Sequence, residues 1–214
     1  MSRDIQKSFW EMVKSSKDTM QPFAWGTFFS PDERRFLTAA CDRLIPGSDI
    51  GGGALRAGVP QFIDRHMTSP FGQGLLWYRK GPFVEAPRQF GYQGSLAPCD
   101  ILRKGIAETG DYCRDNFDAD FWELSDLDQV SILEQLENDE LPFEQVAPTR
   151  FFTMLLAETR NAYFSDPVHG ANVDMNSWRM IGYPGFPVDY RAAIRERSAP
   201  HPQTTRSISE FGKR

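Results

Sequence analysis

The sequence predicts a mainly α protein: one compact helical domain with long, ordered loops rich in Gly, Pro and aromatic residues, and extended arms at both ends. Three observations carry this. Several segments place apolar residues at helical spacing behind recognisable helix starts. The 15 Pro, 17 Gly and 13% aromatic content suggest helices joined by long, ordered, aromatic-rich loops. At 214 residues the chain suits one domain with a real core, and two full domains would be a squeeze. The expected layout is an N-terminal arm over 1–29, a helical domain over 30–190 and a C-terminal tail over 191–214.

Residues 1–20 read as a polar arm with a turn or two of helix around Phe9, Trp10, Met12 and Val13. An aromatic segment follows, with Phe23, Trp25, Phe28 and Phe29. The clearest helix start is next. Ser30 can cap, Pro31 takes the first helical position, and Glu33 completes a capping box. Phe36, Leu37, Ala40, Cys41, Leu44 and Ile45 share one apolar face up to Pro46-Gly47. Glu33-Arg34-Arg35-Phe36-Leu37 resembles a twin-arginine export motif. It lies too far into the chain, and Asp42-Arg43 breaks the apolar run it would need, so it reads as helix.

Residues 47–58 read as a flexible Gly-rich turn. No strand precedes Gly51-Gly52-Gly53, and neither GK[ST] nor GxGxxG follows, so a phosphate cradle is disfavoured. A short helix is expected from Pro60 to Met67, with Phe62, Ile63 and Met67 inward, and another turn of helix over 70–79. Residues 80–96 are too broken by Gly and Pro for regular structure. A longer helix is expected from Pro98 to Phe117, with Ile101, Leu102, Ile106 and Cys113 near one stripe. Ser125 starts the next, in which Leu127, Val130, Ile132, Leu133 and Leu136 recur at helical spacing as far as Asn138. The last runs from Pro148 to Phe164 through Phe151, Phe152, Leu155, Leu156, Thr159 and Tyr163.

Composition excludes several functions. The net charge is -5 and no cluster of five basic residues exists, which argues against nucleic acid or an anionic membrane as partner. The apolar runs are far below the roughly 20 residues that cross a bilayer. Cys41, Cys99 and Cys113 form no CxxC pair and read as three buried thiols, with one disulfide and one free thiol as the alternative.

Catalysis needs convergent groups, and the sequence offers few. His66, His169 and His201 lie far apart, in no metal-binding pattern. His66 reads as a surface or helix-end residue. No GxSxG elbow and no Glu-x-x-His pair occurs, so neither a serine hydrolase nor a di-iron bundle is signalled. The segment 163–187 holds the most information. Asp166, Pro167, His169, Gly170 and Asn172 form its first half; Trp178, Gly182, Tyr183, Pro184 and Gly185 form its second. It is either a rigid loop closing the protein's own core or a preformed surface for a partner. Trp178 and Tyr183 are the large amphipathic anchors favoured at interface hot spots.

These residues, in order, resemble the gluconate 2-dehydrogenase subunit 3 family. The resemblance covers about residues 30–190. It runs from Phe36-Leu37 and Asp42-Arg43-Leu44-Ile45-Pro46 through Ala57-Gly58-Val59, Phe62-Ile63-Asp64, Tyr78, Gly81, Gly91-Tyr92-Gln93 and Arg103. It continues through Phe151-Phe152, Phe164, Asp166-Pro167, Gly170, Asn172, Trp178 and Ile181-Gly182-Tyr183-Pro184-Gly185. It implies a small subunit with no cofactor of its own, which folds, stabilises or escorts a large FAD-bearing subunit of the glucose-methanol-choline type. That partner oxidises a sugar, sugar acid, glycoside or polyol, and a multihaem cytochrome c subunit can pass electrons onward. Partner-binding candidates are then Tyr92, Asp166, His169, Asn172, Trp178, Tyr183 and Pro184. Two features depart from the family pattern. Ala171 stands where a second Gly is usual, and the N-terminus is a polar arm where many members carry a twin-arginine signal. Family precedent implies a periplasmic complex whose partner carries the signal; a cytoplasmic complex is the alternative. A free-standing enzyme using His169, Asp166 and Asn172, or a chaperone that leaves after assembly, are the competing functional readings.

Overall fold

The computed structural model describes residues 25–48, 52–77, 79–84, 88–186 and 205–210. The expected helical turns near Phe9, together with Phe23, Tyr78 and His201, lie outside the described residues. Seven α-helices occur among those described: α1 (Pro31–Leu44), α2 (Gly53–Arg56), α3 (Val59–Met67), α4 (Pro98–Phe117), α5 (Asp126–Glu137), α6 (Pro148–Tyr163) and α7 (Asn176–Met180). Four short 3-10 turns punctuate the loops, and no strand forms among these residues, so the mainly α expectation holds.

The helices begin where local chemistry satisfies their first N–H groups. Ser30 Oγ accepts from the Glu33 amide at 3.3 Å, and Glu33 Oε2 accepts from the Ser30 amide at 2.7 Å. Such a cap stabilises a helix by about 1 kcal/mol. Pro98 and Pro148 occupy the first position of α4 and α6, where a missing N–H costs nothing. Arg34-Arg35-Phe36-Leu37 lies within α1, with Phe36 and Leu37 fully inside.

Helix α6 is central and packs against α3, α4 and α5. Its Phe151 and Leu155 are wholly buried, and Phe151 meets Phe36 of α1 at 6.1 Å between ring centres. Phe36 in turn meets Phe121 at 4.6 Å. The three cysteines are buried free thiols. Burial pushes Cys41 up to about 12 and Cys113 up to about 11, so neither is a ready nucleophile near neutral pH.

Four expectations need correction. Residues 47–58 are not simply a turn. Gly53–Arg56 is a turn of helix locked onto the end of α1 by the Ala54 N–H to Ile45 carbonyl bond at 2.8 Å. Gly53 has φ +65°, and a Cβ there would meet Gly47 N at 2.5 Å, so close packing explains a glycine at this position. Residues 70–76 form consecutive turns without becoming a helix. In α5, Leu127 and Val130 face outward, Leu127 at 82% exposure, while Gln129 joins Ile132, Leu133 and Leu136 inside. Gln129 turns inward because its Nε2 donates to the carbonyls of Phe121 (3.0 Å) and Leu124 (3.2 Å), capping the preceding 3-10 turn.

The last correction is His66. It is no plain surface residue: Nδ1 lies 2.6 Å from Oε2 of Glu158, a carboxylate that is 1% exposed in the middle of α6. The imidazole is sandwiched between Phe71, stacked at 4.7 Å, and Phe62 at 5.1 Å. The pair pins α3 to α6.

Candidate functional site

The segment from Phe164 to Phe186 forms one continuous loop unit after α6. A 3-10 turn (Pro167–His169) and α7 give it its shape. Asp166 caps that turn, its Oδ1 accepting from the Val168 amide at 3.0 Å. Gly170 at φ +87° and Asn172 at φ +51° bend the chain back. Ala171 lies between them, fully buried, and is not among the positive-φ residues, so the Gly-to-Ala departure from the family pattern leaves the turn intact.

The polar groups of this loop are turned toward their own chain. Asn172 is buried; its Nδ2 donates to the Ser165 carbonyl at 2.9 Å and its amide donates to the Ala57 carbonyl at 2.8 Å. Arg65 of α3 donates to the Gly170 carbonyl at 2.8 Å. Trp178 is 6% exposed, and its Nε1 donates to the Phe164 carbonyl at 2.8 Å. Of the two roles open to Trp178, core of the loop or anchor for a partner, the side chain's position matches the first. Tyr183 packs edge-on against it at 5.0 Å but stays half exposed, with Met180 and Ile181 exposed beside it in the chain.

A segment near the C-terminus completes the unit. Arg206 donates to the Pro184 carbonyl at 3.0 Å, and Phe186 donates to the Arg206 carbonyl at 2.9 Å. Asp166 Oδ1 also accepts from Ser207 Oγ at 2.6 Å, and Oδ2 accepts from the Ile208 amide at 2.9 Å. The structure thus joins Asp166, Asn172, Trp178, Tyr183 and Pro184 in one unit. His169 belongs to it through backbone bonds, with its side chain exposed. Ser207, which the sequence does not single out, is part of it too. Hydrogen bonds to a charged acceptor contribute about 1.5–3 kcal/mol each. Asp166→Ala is therefore expected to free residues 205–210, seen as lost hydrogen-exchange protection there while α6 amides keep theirs. Unchanged protection of 205–210 would show that the carboxylate is not what holds them.

Tyr92 sits elsewhere. Among the described residues no hydrogen bond, ion pair or ring contact ties it to this loop. Its hydroxyl accepts from the Leu96 amide at 3.0 Å, and its ring lies 5.7 Å from Trp77. The guanidinium of Arg150, on α6, stands 4.0 Å above it. Arg150 is a second residue that sequence reasoning misses, because nothing local marks an arginine in a first helical turn as stacked on a distant tyrosine.

As chemistry, no acid–base pair forms in the unit among the described residues: both Asp166 oxygens and the Asn172 amide hold backbone and Ser207, and the His169 side chain is exposed. No group of three or more His, Cys, Asp or Glu residues that could hold a metal occurs among the described residues. No helix among them is long and apolar enough to cross a membrane. Against known families, the model described as gluconate 2-dehydrogenase subunit 3 matches residues 31–185, well over half of the chain. No curated protein and no solved structure matches it.

Proposed function

We propose, from the premise that this chain belongs to the gluconate 2-dehydrogenase subunit 3 family, that it is the non-catalytic small subunit of a flavoprotein dehydrogenase. The family match is the observation that carries the reading. Its partner is a large FAD-bearing subunit of the glucose-methanol-choline type, which oxidises a sugar, sugar acid, glycoside or polyol. A cytochrome c subunit with several haems is the electron outlet we assign to such a complex, and the periplasm is the compartment we assign to it. The loop unit supports a scaffold role over a catalytic one, because Asp166 and Asn172, which the enzyme reading needs beside His169, are engaged in internal hydrogen bonds.

Tagged full-length chain purified from its native host is expected to bring down a one-to-one flavoprotein, identified by FAD absorbance, with haem bands if the third subunit is present. Substrate oxidation should follow the flavoprotein and be absent from the small subunit alone. A monomer that turns over a substrate unaided would overturn the proposal. So would a mature flavoprotein, stable and active, that never contains this chain; that result identifies a chaperone that leaves after assembly.

A further inference from the structure

Six arginines among the described residues are neutralised by carboxylates: Arg34, Arg35, Arg43, Arg56, Arg103 and Arg114. Arg150 is treated differently. Its guanidinium lies 4.0 Å from the centre of the Tyr92 ring and 5.9 Å from that of Trp77. Its Nε is buried and has no acceptor. No carboxylate is among the groups acting on it, and burial pulls its pKa below the ordinary arginine value. A half-buried cation with no carboxylate partner among the described residues has only its ring contacts to offset desolvation, whereas a desolvated charge is normally paired.

The two rings that Arg150 meets are flanked in the chain by exposed apolar residues. Leu75 and Leu76, immediately before Trp77, are 75% and 71% exposed, and Phe90, two residues before Tyr92, is 65% exposed. Exposed aliphatic and aromatic residues on the two loops whose rings hold an arginine have the composition of an unfilled interface: aromatic and arginine anchors with apolar neighbours in the chain. The patch is also braced in advance. Arg79 ties its two loops together through the carbonyls of Ser95 (2.8 Å) and Gln73 (3.2 Å). Phe71, Trp77 and Tyr92 form a chain of ring contacts that leads back to His66. A surface held this way needs little ordering when it binds.

We propose that this corner, Arg150 over Tyr92 and Trp77 with Leu75, Leu76 and Phe90 around it, is where the large catalytic subunit docks, through an apolar segment whose carboxylate pairs with Arg150. The inference rests on the small-subunit reading and adds to it a surface and a charge. The missing counter-ion selects the occupant: an apolar segment alone would bury Arg150 further and leave it unpaired, whereas an Asp, Glu or terminal carboxylate completes it. A guanidinium offers its N–H groups in the planar fork that a carboxylate accepts.

The test uses the full-length chain with its flavoprotein partner. Arg150→Met keeps the volume and removes the charge; Leu76→Asp puts a carboxylate into the apolar field at an exposed site. Both variants should keep the wild-type circular dichroism and thermal melt. Each should weaken association with the flavoprotein by about 30-fold or more, the range seen when a buried interface charge loses its partner or an unpaired one is added. A photo-crosslinker at position 76 should attach to the flavoprotein. If the wild-type chain brings down no flavoprotein, the small-subunit reading itself fails. If it does, and both variants bind as well as wild type, the subunit reading stands and this docking surface is wrong. Crosslinking to a second copy of this chain, or back to its own residues 85–87, overturns the docking surface in the same way.

Discussion

Asp64→Ala is expected to lower the stability of this protein by about 4 kcal/mol, the range for removing one partner of a buried charged cluster. Asp64 is completely buried on α3. One of its oxygens accepts from the amides of Phe28 at 3.0 Å and Phe29 at 2.9 Å. The other faces Arg34 Nε of α1 at 3.5 Å. A single carboxylate thus fixes the segment that leads into α1, and Phe29, itself buried, depends on it for its amide partner. Alanine would leave a buried N–H without an acceptor and Arg34 without its carboxylate. Asp64→Asn keeps an acceptor and loses the charge, so its cost should be about half. Urea unfolding checks both: the midpoint should fall with little change in slope. A loss below about 1 kcal/mol for the alanine variant would mean that water or another group replaces the carboxylate.

Gly105→Ala should be nearly as damaging, although alanine is the better helix former by about 1 kcal/mol. Gly105 lies inside α4 where α6 crosses it. A Cβ there would stand 2.1 Å from Cγ of Phe151 and 2.2 Å from its Cδ2. Phe151 is fully buried and in ring contact with Phe36, so it has nowhere to withdraw. Overpacking of this kind costs about 3 kcal/mol, and for a chain of this size that lowers Tm by about 6–12 °C. Phe151→Leu introduced together with Gly105→Ala should recover part of the loss, a coupling expected only of residues in contact. A Tm at or above wild type for the single variant would mean that α4 and α6 are not in close contact at this glycine.

What was legible in the sequence was local. Ser30, Pro31 and Glu33 declare the start of α1 within four residues, and Pro98 and Pro148 do the same for α4 and α6, because capping is chemistry between near neighbours. The family was legible through the order of many weak pieces, and the model match over 31–185 bears it out. Pairings across the fold were not legible. Asp64 precedes Met67 by three positions, and Glu158 follows Phe151 by seven and Leu155 by three, so both acids lie on inward stripes. Each therefore signals a buried partner, yet nothing local says that the partners are Arg34 and His66. Leu127 misled for the opposite reason: its spacing fits the stripe, but the backbone of the preceding 3-10 turn drew Gln129 inward instead. In the candidate loop, Asp166 stood out, while Ser207, 41 residues later, carried no mark of its own. Arg150 was unremarkable for the same reason, since its significance lies in a ring 58 positions away and in the lack of a carboxylate partner among the described residues.

The contact between His66 and Glu158 also limits how this sequence can drift. Changing His66 alone strands the buried Glu158 carboxylate, a loss of about 3–5 kcal/mol out of the 5–15 kcal/mol that separate a typical fold from its unfolded chain, whereas changing Glu158 alone leaves an imidazole that still reaches solvent and loses less. An apolar pair of similar volume could occupy the same space at little cost, and the less costly first step toward it is at Glu158. Drift away from the pair is therefore expected to begin at position 158, with position 66, 92 residues before it in the chain, following.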